Sequence, residues 1–272
     1  MPVDNSRDLE QLEPGARDVA RRLLGNGASF ALVDVALSRI RRKGASGMFA
    51  IDAAAEALGR VVRLLPSPKR TGDPKAFAFV GPPGSGKTSC MLRLAQRMQE
   101  GGRSCLCSTI AMPDVQLPGG QHLGLDLPLI EVEDGSELER AVRRYGPDAF
   151  LLDTPGLSPK EPRPLATLGR DLRSLVTDQT LQLILTLDAS APRAELRSIL
   201  SNFRSMAPAG VCLTHLDMAE KVVPAFEELA RSRLPLAFLS VGTTPLDFCR
   251  PSADRVADLL LRGRLSRAEG GP

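Results

Sequence analysis

Gly81-Pro82-Pro83-Gly84-Ser85-Gly86-Lys87-Thr88 decides the reading of this chain. The stretch fits G-x-x-x-x-G-K-S/T in full, follows a short apolar run at 76–80 and precedes a helical pattern that reaches about residue 100. A strand, a glycine-rich turn and a helix in that order build a phosphate cradle. Glycines let successive backbone N–H groups curl around phosphate oxygens, and the helix N-terminus adds its positive end. In this pattern Lys87 reaches the β- and γ-phosphates and the Thr88 hydroxyl faces Mg²⁺. Gly81, Gly84, Ser85, Gly86 and Ser89 complete the loop and the first helical turn. Lysine is scarce in this chain, six residues against 29 arginines, so a lysine at position 87 does not follow from composition.

Working outward, apolar strand-sized runs at 76–80, 104–110, 129–132, 149–152, 181–187, 210–213 and 236–241 alternate with helical patterns at 137–144, 165–176, 195–205, 219–231 and 253–262. Such alternation predicts an α/β fold, a P-loop NTPase three-layer sandwich around a mostly parallel sheet. Two further strand ends carry chemistry. Phe150-Leu151-Leu152-Asp153-Thr154-Pro155-Gly156 sets a carboxylate beside the phosphate loop, where Asp153 can hold Mg²⁺ and the Gly156 N–H can meet the γ-phosphate. Thr214-His215-Leu216-Asp217 ends a later strand with an acid whose two oxygens match guanine N1–H and N2–H₂, donors that adenine lacks on that edge. The plainer reading of Asp217 is an N-cap for the helix expected from residue 219. A fourth loop, with Ser240 and Gly242, falls where a base-closing loop belongs.

The N-terminal 66 residues differ in character. Three helical patterns, using Val19 to Leu24, Leu32 to Ile40 and Met48 to Leu65, predict a small helical bundle. Ser29 caps the second and Gly44 stops it. The domains expected are therefore a bundle at 1–66, a proline-rich linker at 67–75, a nucleotide domain at 76–265 and a flexible tail at 266–272. Arg39, Arg41, Arg42 and Lys43 cluster before Gly44 and invite a lipid or RNA reading. The plainer one is a last helical turn whose cations complement the dipole.

Composition excludes several classes. Over 272 residues, 35 Lys and Arg against 32 Asp and Glu give a net charge of +3, too balanced for a nucleic-acid binder defined by bulk charge. No apolar run approaches the ~18 residues of a membrane helix, and the first ten residues lack a signal-peptide core. Five cysteines without C-x-x-C spacing, and two histidines (His122 and His215), read as core thiols in a reducing cytosol rather than as a metal site.

Together these motifs resemble the signal-recognition-particle class of GTPases, and within it the flagellar FlhF branch. Gln116-Leu117, Leu127-Pro128-Leu129, Leu187-Asp188-Ala189 and the run from Leu234 to Gly242 extend the resemblance over about residues 9–262. It implies GTP and GDP with Mg²⁺ as ligands, with Thr88 and Asp153 at the metal and Lys87 and Asp153 in catalysis. Base and phosphate contacts then fall to the phosphate loop with Gly156, Thr214, Asp217, Ser240 and Gly242. A nucleotide-dependent homodimer, a flagellar basal-body or membrane-surface partner, and a cytoplasmic place at the inner membrane or cell pole are implied as well; signal-RNA binding is not. Three departures bear on activity. Residues 109–113 read Thr-Ile-Ala-Met-Pro where the class has Asp-x-x-Arg for ordering water across a dimer. His215 stands in place of a lysine and should pack less well, loosening the base loop. Gly242-Thr243 replaces Gly-Gln. The expectation is an FlhF-like GTPase switch with slow turnover. Asp114, Gln116 and Gln121 are candidate substitutes for the missing group. The alternatives are a hydrolysis-deficient scaffold acting through partners and a MinD/ParA-like ATPase, the latter disfavoured by Pro82 and Pro83 where those enzymes carry an extra lysine.

Overall fold

Strand β1 (Lys75–Val80) is buried on both sides: Ala76, Ala78 and Val80 enter one apolar cluster while Phe77 and Phe79 enter another. A strand with no polar face must lie inside a sheet covered above and below. The computed structural model describes residues 9–66, 75–110, 129–132, 135–160, 162–175 and 181–264. Of the expected linker at 67–75, Lys75 opens β1, and residues 67–74 lie outside the described residues, as does the expected tail at 266–272. So do His122 and the segment with Asp114, Gln116, Leu117, Gln121, Leu127 and Pro128.

Among the described residues, helices α1 (Pro14–Gly25), α2 (Phe30–Lys43) and α3 (Phe49–Leu58) precede β1. After β1 follow α4 (Lys87–Glu100), β2 (Cys105–Ile110), β3 (Leu129–Val132), α5 (Gly135–Tyr145), β4 (Ala149–Asp153) and α6 (Pro162–Leu175). Then come β5 (Leu181–Asp188), α7 (Arg193–Asn202), β6 (Gly210–Thr214), α8 (Val223–Ser232), β7 (Leu236–Ser240), β8 (Phe248–Cys249) and α9 (Ala253–Arg262). The sheet runs β3-β2-β4-β1-β5-β6-β7-β8, parallel throughout except for β8. This is the α/β sandwich expected, with α4 supplying Cys90, Met91, Leu92, Ala95 and Met98 to the cluster on one face.

Local chemistry sets the helix ends. Ser29 caps α2, its hydroxyl accepting from Leu32 N at 3.4 Å, and Gly44 closes the helix in the left-handed region at φ 59°. Helix α3 is shorter than its apolar pattern. At Gly59 the chain lies against Ala253, and residues beyond it turn into the sheet, Leu65 N donating to Leu236 O at 2.8 Å and Leu236 N to Arg63 O at 2.7 Å. The N-terminal helices do not close on themselves. Val256, Leu259 and Leu260 of α9 share one buried cluster with Leu23, Ala54 and Leu58, and Asn26 Nδ2 donates to Leu260 O at 3.1 Å.

A charge network locks the α1–α2 turn to the sheet domain. Buried Glu227 accepts from Ser29 N at 3.0 Å and Arg193 at 2.5 Å, while Arg193 also donates to Gly27 O at 3.2 Å. Its neighbour Glu228, 2% exposed, accepts from Arg197 at 3.0 Å and Arg231 at 2.8 Å. The Arg197 hydrogen bond leads in holding the Glu228 carboxyl below the usual range, against burial that pushes it up. A lowered folded-state value means this stability is full above the ordinary glutamate range and is lost as pH falls through the lowered one. Glu228→Gln should therefore cost about 1–3 kcal/mol in urea unfolding at neutral pH, with a shallower acid loss than the unmodified chain.

Candidate functional site

Five adjacent strands end side by side: β4, β5, β6 and β7 finish on Asp153, Asp188, Thr214 and Ser240, and Gly81 follows β1 directly. In open α/β sheets the ligand crevice lies at the C-terminal strand ends. The sequence-predicted residues therefore meet at one edge.

The phosphate loop occupies the centre. Gly86 opens α4 at φ 86°, a conformation that L side chains rarely adopt, and Gly84 faces open space. Ser85 is buried, its hydroxyl 2.6 Å from that of Thr186, which in turn donates to Val80 O at 3.1 Å. Lys87 is 7% exposed, and its ammonium donates to Pro82 O at 2.9 Å within the loop itself. Burial lowers the Lys87 pKa, and Asp153 acts to raise it. A buried ammonium with three donors and one such acceptor has capacity for an anion in the loop, and this fits a phosphate. Ser89 is exposed on the first turn of α4.

Asp153 is fully buried. One oxygen accepts from the Thr88 hydroxyl and the other from Thr154 N at 3.1 Å, while the Thr154 hydroxyl is tied to Phe79 O at 2.7 Å. Burial pushes the Asp153 carboxyl above its usual range; Thr88, Lys87 and Thr154 pull it back down. A hydroxyl and a carboxylate touching beside a phosphate loop are hard oxygen donors of the kind Mg²⁺ takes. Gly156 lies directly against the loop: a Cβ there would stand 2.7 Å from Pro83 Cα. Only glycine allows that approach.

On the other flank, the Thr214 hydroxyl donates to Ser85 O at 3.0 Å and Leu187 O at 3.3 Å, stitching the end of β6 to the phosphate loop. His215 takes a left-handed φ of 53°. Its Nδ1 lies 3.0 Å from Asp188 Oδ2, and Asp188 Oδ1 accepts from Ser190 N at 2.8 Å. Asp188 thus holds one side of the half-buried His215 ring. Asp217 is exposed on the turn that follows, where Met218 N and Ala219 N both donate to His215 O. Helix α8 starts at Val223 with Val222 as its N-cap, four residues later than expected. Asp217 is therefore not the helix cap that its plainer reading required.

In the fourth loop Ser240 is buried and accepts from Arg93 at 2.6 Å, and Leu216 N donates to Ser240 O at 3.3 Å. Gly242 sits over Asp247, whose carboxylate accepts from Thr244 N at 2.8 Å. Sequence reasoning missed Arg93 and Thr186. The visible sign of Thr186 was a hydroxyl inside an apolar strand; nothing marked Arg93. Cys90, Cys105, Cys107 and Cys212 are buried and Cys249 half-buried, and burial pushes Cys105 to about 11 and Cys107 to about 12, so these last two are protonated thiols.

No family model matches the chain. Among curated proteins it is 28% identical over 202 residues to the signal recognition particle 54 kDa protein of Methanosarcina barkeri, covering 69% of this chain and 44% of that one. It is 24% identical over 196 residues to the flagellar biosynthesis protein FlhF of Campylobacter jejuni, covering 70% and 40%. The chain thus spans less than half the length of these relatives. Among solved structures, FlhF complexed with GTP and Mg²⁺ superposes with a TM-score of 0.75 at 20% identity, covering 92% of this chain and all of that one. FtsY from Mycoplasma mycoides gives 0.70 at 17%, covering 94% and 93%. With the phosphate loop and the parallel sheet, these similarities identify the chain as a homologue of the signal-recognition-particle-type GTPases.

Proposed function

We propose that the chain is an FlhF-like GTP-binding switch that takes GTP and GDP with Mg²⁺. The observation that carries this reading is the Thr88 hydroxyl on the Asp153 carboxylate beside buried Lys87. Lys87 neutralises phosphate charge, and the loop N–H groups orient the chain of phosphates. Thr88 and Asp153 would hold Mg²⁺, which supplies charge neutralisation at the phosphate oxygens. Asp217, exposed three residues after the Thr214 that ties β6 to Ser85, is offered to a guanine edge, and Asp188 contacts His215 in the same turn. The flagellar role, in assembly or polar placement, the cytoplasmic location at a membrane or cell pole, and the basal-body partner belong to this proposal through the likeness to FlhF.

Turnover is the open half of the switch. Rate in phosphoryl transfer comes from positioning water and neutralising charge. Lys87, Thr88 and Asp153 serve the second need. Where the class carries Asp-x-x-Arg for the first, after the second strand, residues 109–113 read Thr-Ile-Ala-Met-Pro. We expect GTP binding with slow hydrolysis that accelerates with protein concentration, as a homodimer contact supplies the missing group. Single-turnover assays across protein concentration, with sizing in a non-hydrolysable GTP analogue, test this. Fast hydrolysis independent of concentration contradicts it and directs attention to Asp114, Gln116 or Gln121.

A further inference from the structure

The imidazole of His215 spans the crevice between the end of β5 and the phosphate loop. Its residue directly follows Thr214, whose hydroxyl ties β6 to Ser85 O at 3.0 Å. Its backbone takes the left-handed φ of 53°, a region that histidine enters more readily than most side chains. One side of the ring is fixed, with Nδ1 3.0 Å from Asp188 Oδ2. The other side is turned to the phosphate loop, where a Cβ built on Gly86 would stand 3.9 Å from Nε2. The side chain is 32% exposed, so a ligand in the crevice can reach it.

These contacts set the roles of the two nitrogens. With Nδ1–H donating to Asp188, the neutral ring presents Nε2 as an acceptor on the phosphate-loop side. An acceptor there repels phosphate oxygens. A second proton turns the same nitrogen into a charged donor that attracts them. The elements around the ring carry other charges: Lys87 and Arg93 on α4, Asp217 two residues along the same turn, and Asp247 in the fourth loop. Three of these already have protein partners, Lys87 in Pro82 O, Arg93 in the Ser240 hydroxyl and Asp247 in Thr244 N. Asp188 is the carboxylate that pairs with the ring itself.

We infer that His215 contacts the bound nucleotide and takes up a proton from solvent as the nucleotide binds. Asp188 holds Nδ1, and the protonated Nε2 donates to a ligand oxygen on the phosphate-loop side. This deepens the guanine-nucleotide reading of the site and rests on it. Lysine would carry its charge at every pH near neutrality. Histidine ordinarily changes charge between about pH 5 and 8, so here the charge is conditional. Binding that takes up a proton tightens as pH falls, roughly five- to tenfold between about pH 8 and about pH 6.

Calorimetry of GDP with Mg²⁺ on the full chain, in buffers of different ionisation enthalpy, reads the proton directly. Net uptake near neutral pH is expected, with the tightening just given. The terminal phosphate of GDP titrates in the same range, so the comparison is with His215→Lys, which meets the same ligand without a titrating ring. That variant should keep its affinity at about pH 8 or better, and its uptake should fall to the share of the phosphate. Asp188→Asn leaves Nδ1 an uncharged partner and should move the tightening to lower pH. Where His215→Lys does not give a folded protein by its melting curve, the profile of Asp188→Asn decides. Binding without proton uptake overturns the inference and leaves the nucleotide reading intact. Uptake as large in His215→Lys as in the unmodified chain does the same, and so does a profile that Asp188→Asn leaves unmoved. Absence of guanine-nucleotide binding at every pH overturns both.

Discussion

Lys87→Ala should weaken binding of a guanine nucleoside triphosphate by roughly one to two decades while leaving the nucleotide-free fold as stable as before. The two halves of this expectation have one cause. In the free protein the ammonium is buried on a single carbonyl, Pro82 O, and burial already lowers its pKa. Its removal relieves a desolvation cost and takes away a neighbour of Asp153, two effects that oppose each other, so urea unfolding should shift by no more than about 1 kcal/mol. In the bound protein the same ammonium meets phosphate oxygens, a charged hydrogen bond worth about 1.5–3 kcal/mol. Calorimetry checks the binding half. Unchanged triphosphate affinity contradicts the phosphate-loop assignment, and a large loss of stability would assign Lys87 to the fold instead.

The parts of the molecule legible in the sequence are those fixed by neighbours along the chain. The glycine-rich turn between β1 and α4, the Ser29 cap and the Gly44 stop each depend on a few consecutive residues. The strand ends at Asp153 and Thr214 were visible because an apolar run stops at a polar residue. Features built by distant partners were not. Strand β8 has two residues, Phe248 and Cys249, and exists because Ser240 and Leu239 pair with them. Helix α3 ends early because Gly59 meets Ala253 and residues 63–65 are recruited by Leu236. The late start of α8 follows from the turn that returns Met218 and Ala219 to His215 O, and from Pro224 near the helix start. The contact between His215 and Asp188 is of the same kind, since Asp188 ends another strand.

Asp217→Asn should lose guanine affinity by about two decades and gain xanthine. A carboxylate accepts from N1–H and from the amino group together; an asparagine presents its own N–H to one of those donors, leaving a repelling pair in place of a charged bond. Xanthosine triphosphate carries a carbonyl where guanine has the amino group, so the asparagine amide fits it. The substitution is mild for the fold, because Asp217 is exposed and caps no helix. Loss of GTP binding without a gain for the xanthine nucleotide would assign Asp217 to the shape of its loop rather than to the base.

Base choice by the unmodified chain is the most direct test, because a phosphate loop alone does not discriminate purines. Binding of GTP, GDP, ATP and ADP should be measured by calorimetry in the presence of Mg²⁺. The expected result is guanine nucleotides held at least about a hundredfold more tightly than adenine ones. Equal affinity for ATP and GTP would contradict the account, leaving a phosphate-binding α/β protein without a guanine site.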